Sequence, residues 1–110
     1  MNRRQRHWEK VQAARADRSP QGATHILMYS QGWGLYPVSW LTEEPAGGVT
    51  IVTISSPCDA SASHLAKVAG RRLGSSVALA EDDSLGARLE RLRHGDHHPA
   101  YWVIPGGGQS

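Results

Sequence analysis

Hydrophobic positions change their spacing near the middle of the chain, from the two-residue repeat of a strand to the 3.6-residue repeat of a helix. Residues 49–54 are β-branched at every position, which predicts a buried strand. Beyond them, Leu65, Ala69 and Leu73 fall on one face of a predicted helix that ends at Gly74. This strand–helix unit is the centre around which the other elements are predicted to form.

The remaining hydrophobic runs predict four more strands and a second helix. The additional strands are expected at residues 24–29, 35–41, 76–80 and 100–104. Residues 81–84 supply hydrogen-bond acceptors at the start of the second helix, whose apolar face is predicted to be Leu85, Leu89 and Leu92. We expect the first two strands to pair as a hairpin, with residues 41–48 forming a polar turn.

This order of elements predicts an α/β protein. The expected fold is a small mixed sheet with a β-α-β-α-β core, preceded by a helical arm and a β-hairpin. Residues 1–18 are interpreted as a basic helical or disordered arm, residues 19–105 as a single α/β domain, and residues 106–110 as a flexible tail.

The charge distribution and the number of cysteines indicate the cellular compartment of the protein. Residues 1–18 carry a net charge of +4, whereas the whole chain of 110 residues carries +2, so the body is slightly acidic. A single cysteine excludes an intramolecular disulfide, and no signal peptide or membrane-spanning run is evident. We therefore expect a cytoplasmic protein without membrane association. The preference for Arg over Lys, with abundant Ala and Gly, is typical of a bacterial or phage protein.

The only cysteine lies where the predicted strand meets the predicted helix. Ser56 is interpreted as the helix N-cap and Pro57 as the first helical residue, which places Cys58 at the second helical position. Backbone N–H groups and the helix dipole stabilise a thiolate there. The adjacent Asp59 opposes ionisation, so the alternative is a small side chain packed in a crowded turn.

Cys58 and Ser61 form a C-x-x-S motif, and Pro99 directly precedes a predicted strand. With these motifs, residues 49–108 resemble the glutaredoxin branch of the thioredoxin-like superfamily. The resemblance implies that Cys58 is a nucleophile toward disulfides or glutathione mixed disulfides, and that Ser61 replaces the resolving cysteine. It also implies that Pro99 is the cis-proline of the substrate groove and that Gly106 begins the glycine turn. Glutathione would be the cofactor only under this interpretation.

Two further segments have the composition of binding surfaces. Trp33 lies between two glycines in a predicted loop, where an exposed aromatic ring is typical of a protein-binding hot spot. The arm can contact phosphates and stack one ring on a base. Its candidate contact residues are Arg3, Arg4, Arg6, Trp8 and Lys10. Each segment also has a structural alternative. Trp33 can fold back over the sheet, and the arm can be a solvated basic terminus.

Metal binding is not predicted. The residues between His94 and His98 include imidazole and carboxylate groups, but adjacent His97 and His98 cannot easily converge on one ion from an extended loop. The acidic run at residues 81–83 follows a strand, where carboxylates can hold magnesium, yet helix capping explains it equally well.

These features favour a small accessory or regulatory protein that binds a protein partner without catalysing a reaction. Two alternatives stay open at this point. One is a single-cysteine redox protein using Cys58, and the other is a nucleic-acid-binding protein using its basic arm.

Overall fold

The computed structural model describes residues 19–31, 38–56, 60–93, 95 and 98–106 of the chain. The described elements are β1 (His25–Gln31), β2 (Ser39–Ala46), β3 (Val49–Ser56), α1 (Ala62–Leu73), β4 (Val77–Asp82), α2 (Leu85–Arg93) and β5 (Ala100–Pro105). They form the predicted mixed α/β fold. The predicted arm and the end of the predicted tail lie outside the described residues.

The five strands form one mixed sheet in the order β2-β3-β1-β5-β4. The parallel neighbours β1 and β3 are in register over seven residue pairs, from His25↔Thr50 to Gln31↔Ser56. Strand β5 is antiparallel to both of its neighbours, and it meets β1 over three residue pairs but β4 over six. The sheet therefore joins two well-paired groups of strands through a short β1–β5 contact.

Alternate residues of the central strands point to opposite faces of the sheet, and each face carries its own hydrophobic core. On one face, Leu27 and Val52 pack with Leu65 and Ala69 of α1. On the other face, Ile26, Met28 and Trp102 pack with Ala87 of α2. The two helices thus lie on opposite faces, and the central strands are buried between them.

The hairpin predicted between the first two strands is wrong. Strand β2 pairs with β3 instead, and Ala46 opposite Val49 leaves a two-residue turn formed by Gly47 and Gly48. Both glycines have positive φ, 60° and 91°, as a tight hairpin turn requires. Because this glycine pair links β2 directly to β3, strand β1 pairs with the other side of β3, in parallel.

Strand β2 also lies further along the chain than predicted. Residues 41–46 belong to the strand rather than to a polar turn. Most of its side chains are exposed because β2 is an edge strand, so the strand lacks the apolar alternation that sequence patterns detect. A register shift between Trp40 and Thr42, together with Pro45, limits further pairing along its outer edge.

Candidate functional site

Helix α1 begins later than its sequence cues indicate. The N-cap is Ser61, whose backbone is extended and whose Oγ accepts a hydrogen bond from the backbone N–H of His64 at 3.2 Å. Ser56 is instead the last residue of β3. The prediction of an N-cap at Ser56 is therefore wrong, and the second helical position is Ser63 rather than Cys58. Cys58 precedes this helix in the chain, so the first turn of α1 does not supply the N–H groups expected to stabilise its thiolate.

The end of α1 agrees with the prediction. Gly74 has a φ of 74°, and its backbone N–H donates to the carbonyl of Gly70 at 2.9 Å. The N–H of Ser75 donates to the same carbonyl at 3.2 Å, which closes the turn tightly. Arg71 and Arg72 lie in the last turn, where their positive charges complement the helix dipole.

The carboxyl ends of β1, β3 and β4 lie along one side of the sheet, which we call the carboxyl edge. Gln31 and Ser56, the last residues of β1 and β3, are register partners there. Asp82, the last residue of β4, pairs with Ala100, the first residue of β5, at the same edge. The described residues that flank the segments carrying Cys58 and Trp33 belong to this edge. Topology therefore brings together chain segments that are distant in sequence.

Pro99 directly precedes β5, as predicted, but it does not have the backbone that the resemblance implies. No cis peptide bond occurs among the described residues, which include both His98 and Pro99, so the bond that joins them is trans. The His98 ring lies against the ring of Tyr29, with their centroids 4.9 Å apart. This contact anchors the start of β5 to the end of β1.

Asp82 at the end of β4 and Ser84 just before α2 stabilise the start of the helix. Asp82 is buried, and its Oδ1 accepts from the backbone N–H of Ser84 at 2.9 Å. The Oγ of Ser84 in turn accepts from the N–H of Ala87 at 3.2 Å, which makes Ser84 the N-cap of α2. The carboxylate and hydroxyl thus stabilise the helix start, in agreement with the capping interpretation.

The predicted apolar face of α2 points to solvent, which is the opposite of the expectation. Leu85 is 61% exposed and Leu92 is 68% exposed. Leu89 lies between them at helical spacing and is half-buried, and Arg88 is exposed beside it. We call Leu85, Leu89 and Leu92 the leucine face.

The side of α2 that meets the sheet carries small residues and one buried acid. Gly86 and Ala87 are buried there, and they allow the helix backbone to approach the bulky side chains of Met28 and Trp102. Glu90 is fully buried, and its carboxylate lies 3.1 Å from the guanidinium of Arg93. The repeat of three leucines is a stronger sequence signal than the small residues. The sequence pattern therefore predicted the leucines, and not Gly86 and Ala87, as the buried face.

His25, Trp40 and Glu43 form a polar cluster on the face of the sheet that α1 covers, near strand β2. The imidazole of His25 packs edge-on against Trp40, with ring centroids 5.9 Å apart, and its Nδ1 lies 2.7 Å from the hydroxyl of Thr24. The indole N–H of Trp40 donates to Glu43 at 2.8 Å. Burial lowers the pKa of His25 below its usual value, although the charge of Glu43 opposes this shift. His25 is therefore held toward its neutral form.

Several predicted site residues lie outside the described residues. They are Cys58, Trp33, Arg3, Arg4, Arg6, Trp8 and Lys10, together with His94, Asp96 and His97 of the histidine loop. The described part of the chain contains no group of three or more His, Cys, Asp or Glu side chains that could hold a metal ion. Neither α1 nor α2 is long and apolar enough to cross a membrane.

Comparisons with known proteins identify no relative. No protein-family model, no curated protein and no solved structure matches the chain. The likeness to the glutaredoxin branch consequently stays a prediction.

Proposed function

We propose that this chain is a non-enzymatic protein-binding domain of the cytoplasm that holds its partner on the leucine face. The observation that carries the proposal is the exposure of Leu85 and Leu92 on a helix whose buried side is formed by other residues. Three large apolar side chains are exposed among the described residues, and two of them lie on α2. Single exposed leucines are common on proteins, but a continuous helical stripe is typical of an interface.

The charges around the leucine face indicate the chemistry of the partner. Arg88 is exposed within the stripe, three residues after Leu85 and four before Leu92. Glu90, the acid of this helix, is turned toward the sheet and fully buried. The exposed side of α2 is therefore apolar and positively charged. It complements an amphipathic helix whose apolar residues are flanked by carboxylates.

The other polar groups of the molecule support a binding role better than a catalytic one. The hydroxyls of Ser61 and Ser84 and one oxygen of Asp82 are engaged at the starts of the two helices. Trp33 and the basic arm stay predicted additional contacts with a partner. No contact of the described residues favours the redox or the nucleic-acid alternative.

A peptide-binding comparison tests the proposal. The wild-type chain would be titrated with a helical peptide carrying leucines at i, i+4 and i+7 flanked by Glu, and with a matched peptide flanked by Lys. We expect binding of the acidic peptide only. The double variant Leu85→Ser, Leu92→Ser should weaken that binding by at least about tenfold, because each buried leucine contributes roughly 1.5–3 kcal/mol.

Leu41→Ser is the matched control. Leu41 is 52% exposed but lies on β2, so its replacement should leave peptide affinity unchanged. All variants should retain the wild-type circular dichroism spectrum, since exposed substitutions change stability by about 0.5 kcal/mol or less. Equal binding of both peptides would contradict the charge complementarity proposed for the partner. Equal loss in the control and the double variant would show that the leucine face is not the docking surface.

A further inference from the structure

The two edges of the sheet differ in their protection against pairing with another chain. Strand β2 carries a register shift, Pro45 and the exposed acids Glu43 and Glu44, which are the usual obstacles to edge pairing. Strand β4 begins Val-Ala-Leu-Ala, and its first charged residue is Glu81. Among the described residues, β4 has a strand neighbour only on its β5 side. The strands of the described part of the chain thus leave the outer edge of β4 unpaired.

A basic groove runs beside the start of this open edge. It has a volume of about 580 Å³ and lies between α1 and the first residue of β4. Lys67 and Arg71 of α1 line it together with Ser75, Ser76 and Val77. Lys67, Arg71 and the two serines are exposed, so the groove presents positive charge and hydroxyl donors to whatever pairs with β4.

The opposite end of β4 presents negative charge on the same face. Val77 and Leu79 belong to the core on the α1 face, and Glu81 shares their alternation along the strand. Glu81 is exposed, so its carboxylate is accessible beyond the core. Each copy of the chain therefore carries a positive groove at the beginning of β4 and a carboxylate at its end.

We propose that two copies of this chain associate by antiparallel pairing of their β4 edges, which forms a continuous ten-stranded mixed sheet. With the twofold axis at Leu79, Val77 of one copy lies opposite Glu81 of the other. Each Glu81 then lies beside the basic groove of the partner copy. The two grooves remain separated, because Val77 and its symmetry mate are about four residues or 14 Å apart along the strands, beyond the screening length of about 8 Å.

This dimer does not depend on the leucine face, because α2 packs on the other face of the sheet from α1. The axis is perpendicular to the sheet, so both α2 helices end on one side and both α1 helices on the other. The two leucine faces are then displayed together. A bivalent ligand would bind them with greater avidity than either face alone.

Sedimentation velocity of the full chain over a wide concentration range tests the association. We expect a monomer–dimer equilibrium in the wild type. Glu81→Arg should weaken dimerisation by about tenfold, because the substitution removes two symmetry-related ion pairs. The pair Lys67→Glu, Arg71→Glu should have a similar effect, and the combination of all three substitutions should recover much of the lost association.

Glu43→Arg on the protected β2 edge is the matched control and should leave the dimer unchanged. A wild type that stays monomeric at every concentration would overturn the proposal. A dimer that Glu81→Arg does not weaken would overturn it equally, since that dimer would use another surface.

Cysteine cross-linking provides a second measurement that fixes the register. In a Cys58→Ser background, Leu79→Cys lies opposite itself across the twofold axis, within reach of a disulfide. We expect this variant to form a covalent dimer on mild oxidation, whereas Glu43→Cys in the same background should not. Equal cross-linking of both variants would contradict pairing through β4.

Discussion

Replacing the N-cap of α1 tests where this helix begins. Ser61→Ala removes the acceptor that the Oγ supplies to the N–H of His64 at 3.2 Å, while the backbone of the helix can stay in place. Loss of a Ser N-cap costs about 1 kcal/mol, within a range of roughly 0.5–2 kcal/mol. In a domain of this size, that loss corresponds to a decrease in Tm of about 4–8 °C.

The prediction is best checked as a graded series in thermal and urea unfolding. Ser61→Asp should retain wild-type stability because its carboxylate can also accept from the exposed N–H groups. Ser61→Gly should lose only a few tenths of a kcal/mol. Ser63→Ala is the matched control, because Ser63 is exposed, lies two residues further on and is not the cap. It should be neutral or slightly stabilising, since alanine is the better helix former.

A Ser61→Ala variant as stable as Ser63→Ala would refute this description of the helix start. The helix would then extend toward Ser56, and Cys58 would regain its place within the first turn. The series therefore also tests the redox alternative. If Ser61→Ala loses the full capping energy, the Ser61 hydroxyl has a structural role in the helix. The glutaredoxin resemblance instead implies that Ser61 replaces the resolving cysteine.

Two further predictions concern pH and packing. The pKa of His25 is lowered in the folded state, so the unfolded chain binds more protons, and the free energy of unfolding should decrease as pH falls below about 6.5. His25→Gln should flatten that decrease in urea titrations, and an unchanged pH slope would contradict the assignment. Gly70→Ala would place its Cβ 3.0 Å from the carbonyl oxygen of Ser75, within a turn closed by two hydrogen bonds. We expect a net loss of about 1 kcal/mol despite the better helix propensity of alanine, and a higher Tm would show that the turn can relax.

The elements with clear periodicity were predictable from the sequence. Strand β3 is β-branched throughout and becomes a central strand, while the residues of α1 that face the sheet repeat at helical spacing. Both elements are buried on a defined face, so their patterns directly reflect the core. The same reasoning placed β4 and β5 to within two residues at each end.

Strand β2 and its partner were not predictable in this way. An edge strand with solvent on much of its surface carries no apolar alternation, so Glu43, Glu44 and Pro45 had the composition of a turn. The parallel pairing of β1 with β3 joins residues 25 positions apart, and local patterns do not encode such contacts. The glycine pair at residues 47–48 was the sequence feature that could have indicated the β2–β3 hairpin, because it fits a two-residue hairpin turn.

The candidate site was missed for a related reason. Leucines usually face a core, and α2 has only nine residues, so its spacing could not show which side met the sheet. The surface beneath the helix is already filled by Met28 and Trp102, which favours Gly86 and Ala87 at the contact. That preference depends on packing between elements far apart in sequence.

The short contact between β1 and β5 divides the sheet into two modules, each contiguous in sequence. Strands β1, β2 and β3 precede α1 in the chain and form one module, whereas β4 and β5 follow α1 and form the other. Three residue pairs join the modules, whereas each strand pairing inside a module has six or seven residue pairs. Side chains on both faces, including Ile26 with Trp102 and Leu27 with Val103, must therefore supply most of the cohesion across this seam. Opening at the seam would separate the modules without breaking a strand pair inside either one, and we expect subglobal unfolding to begin there.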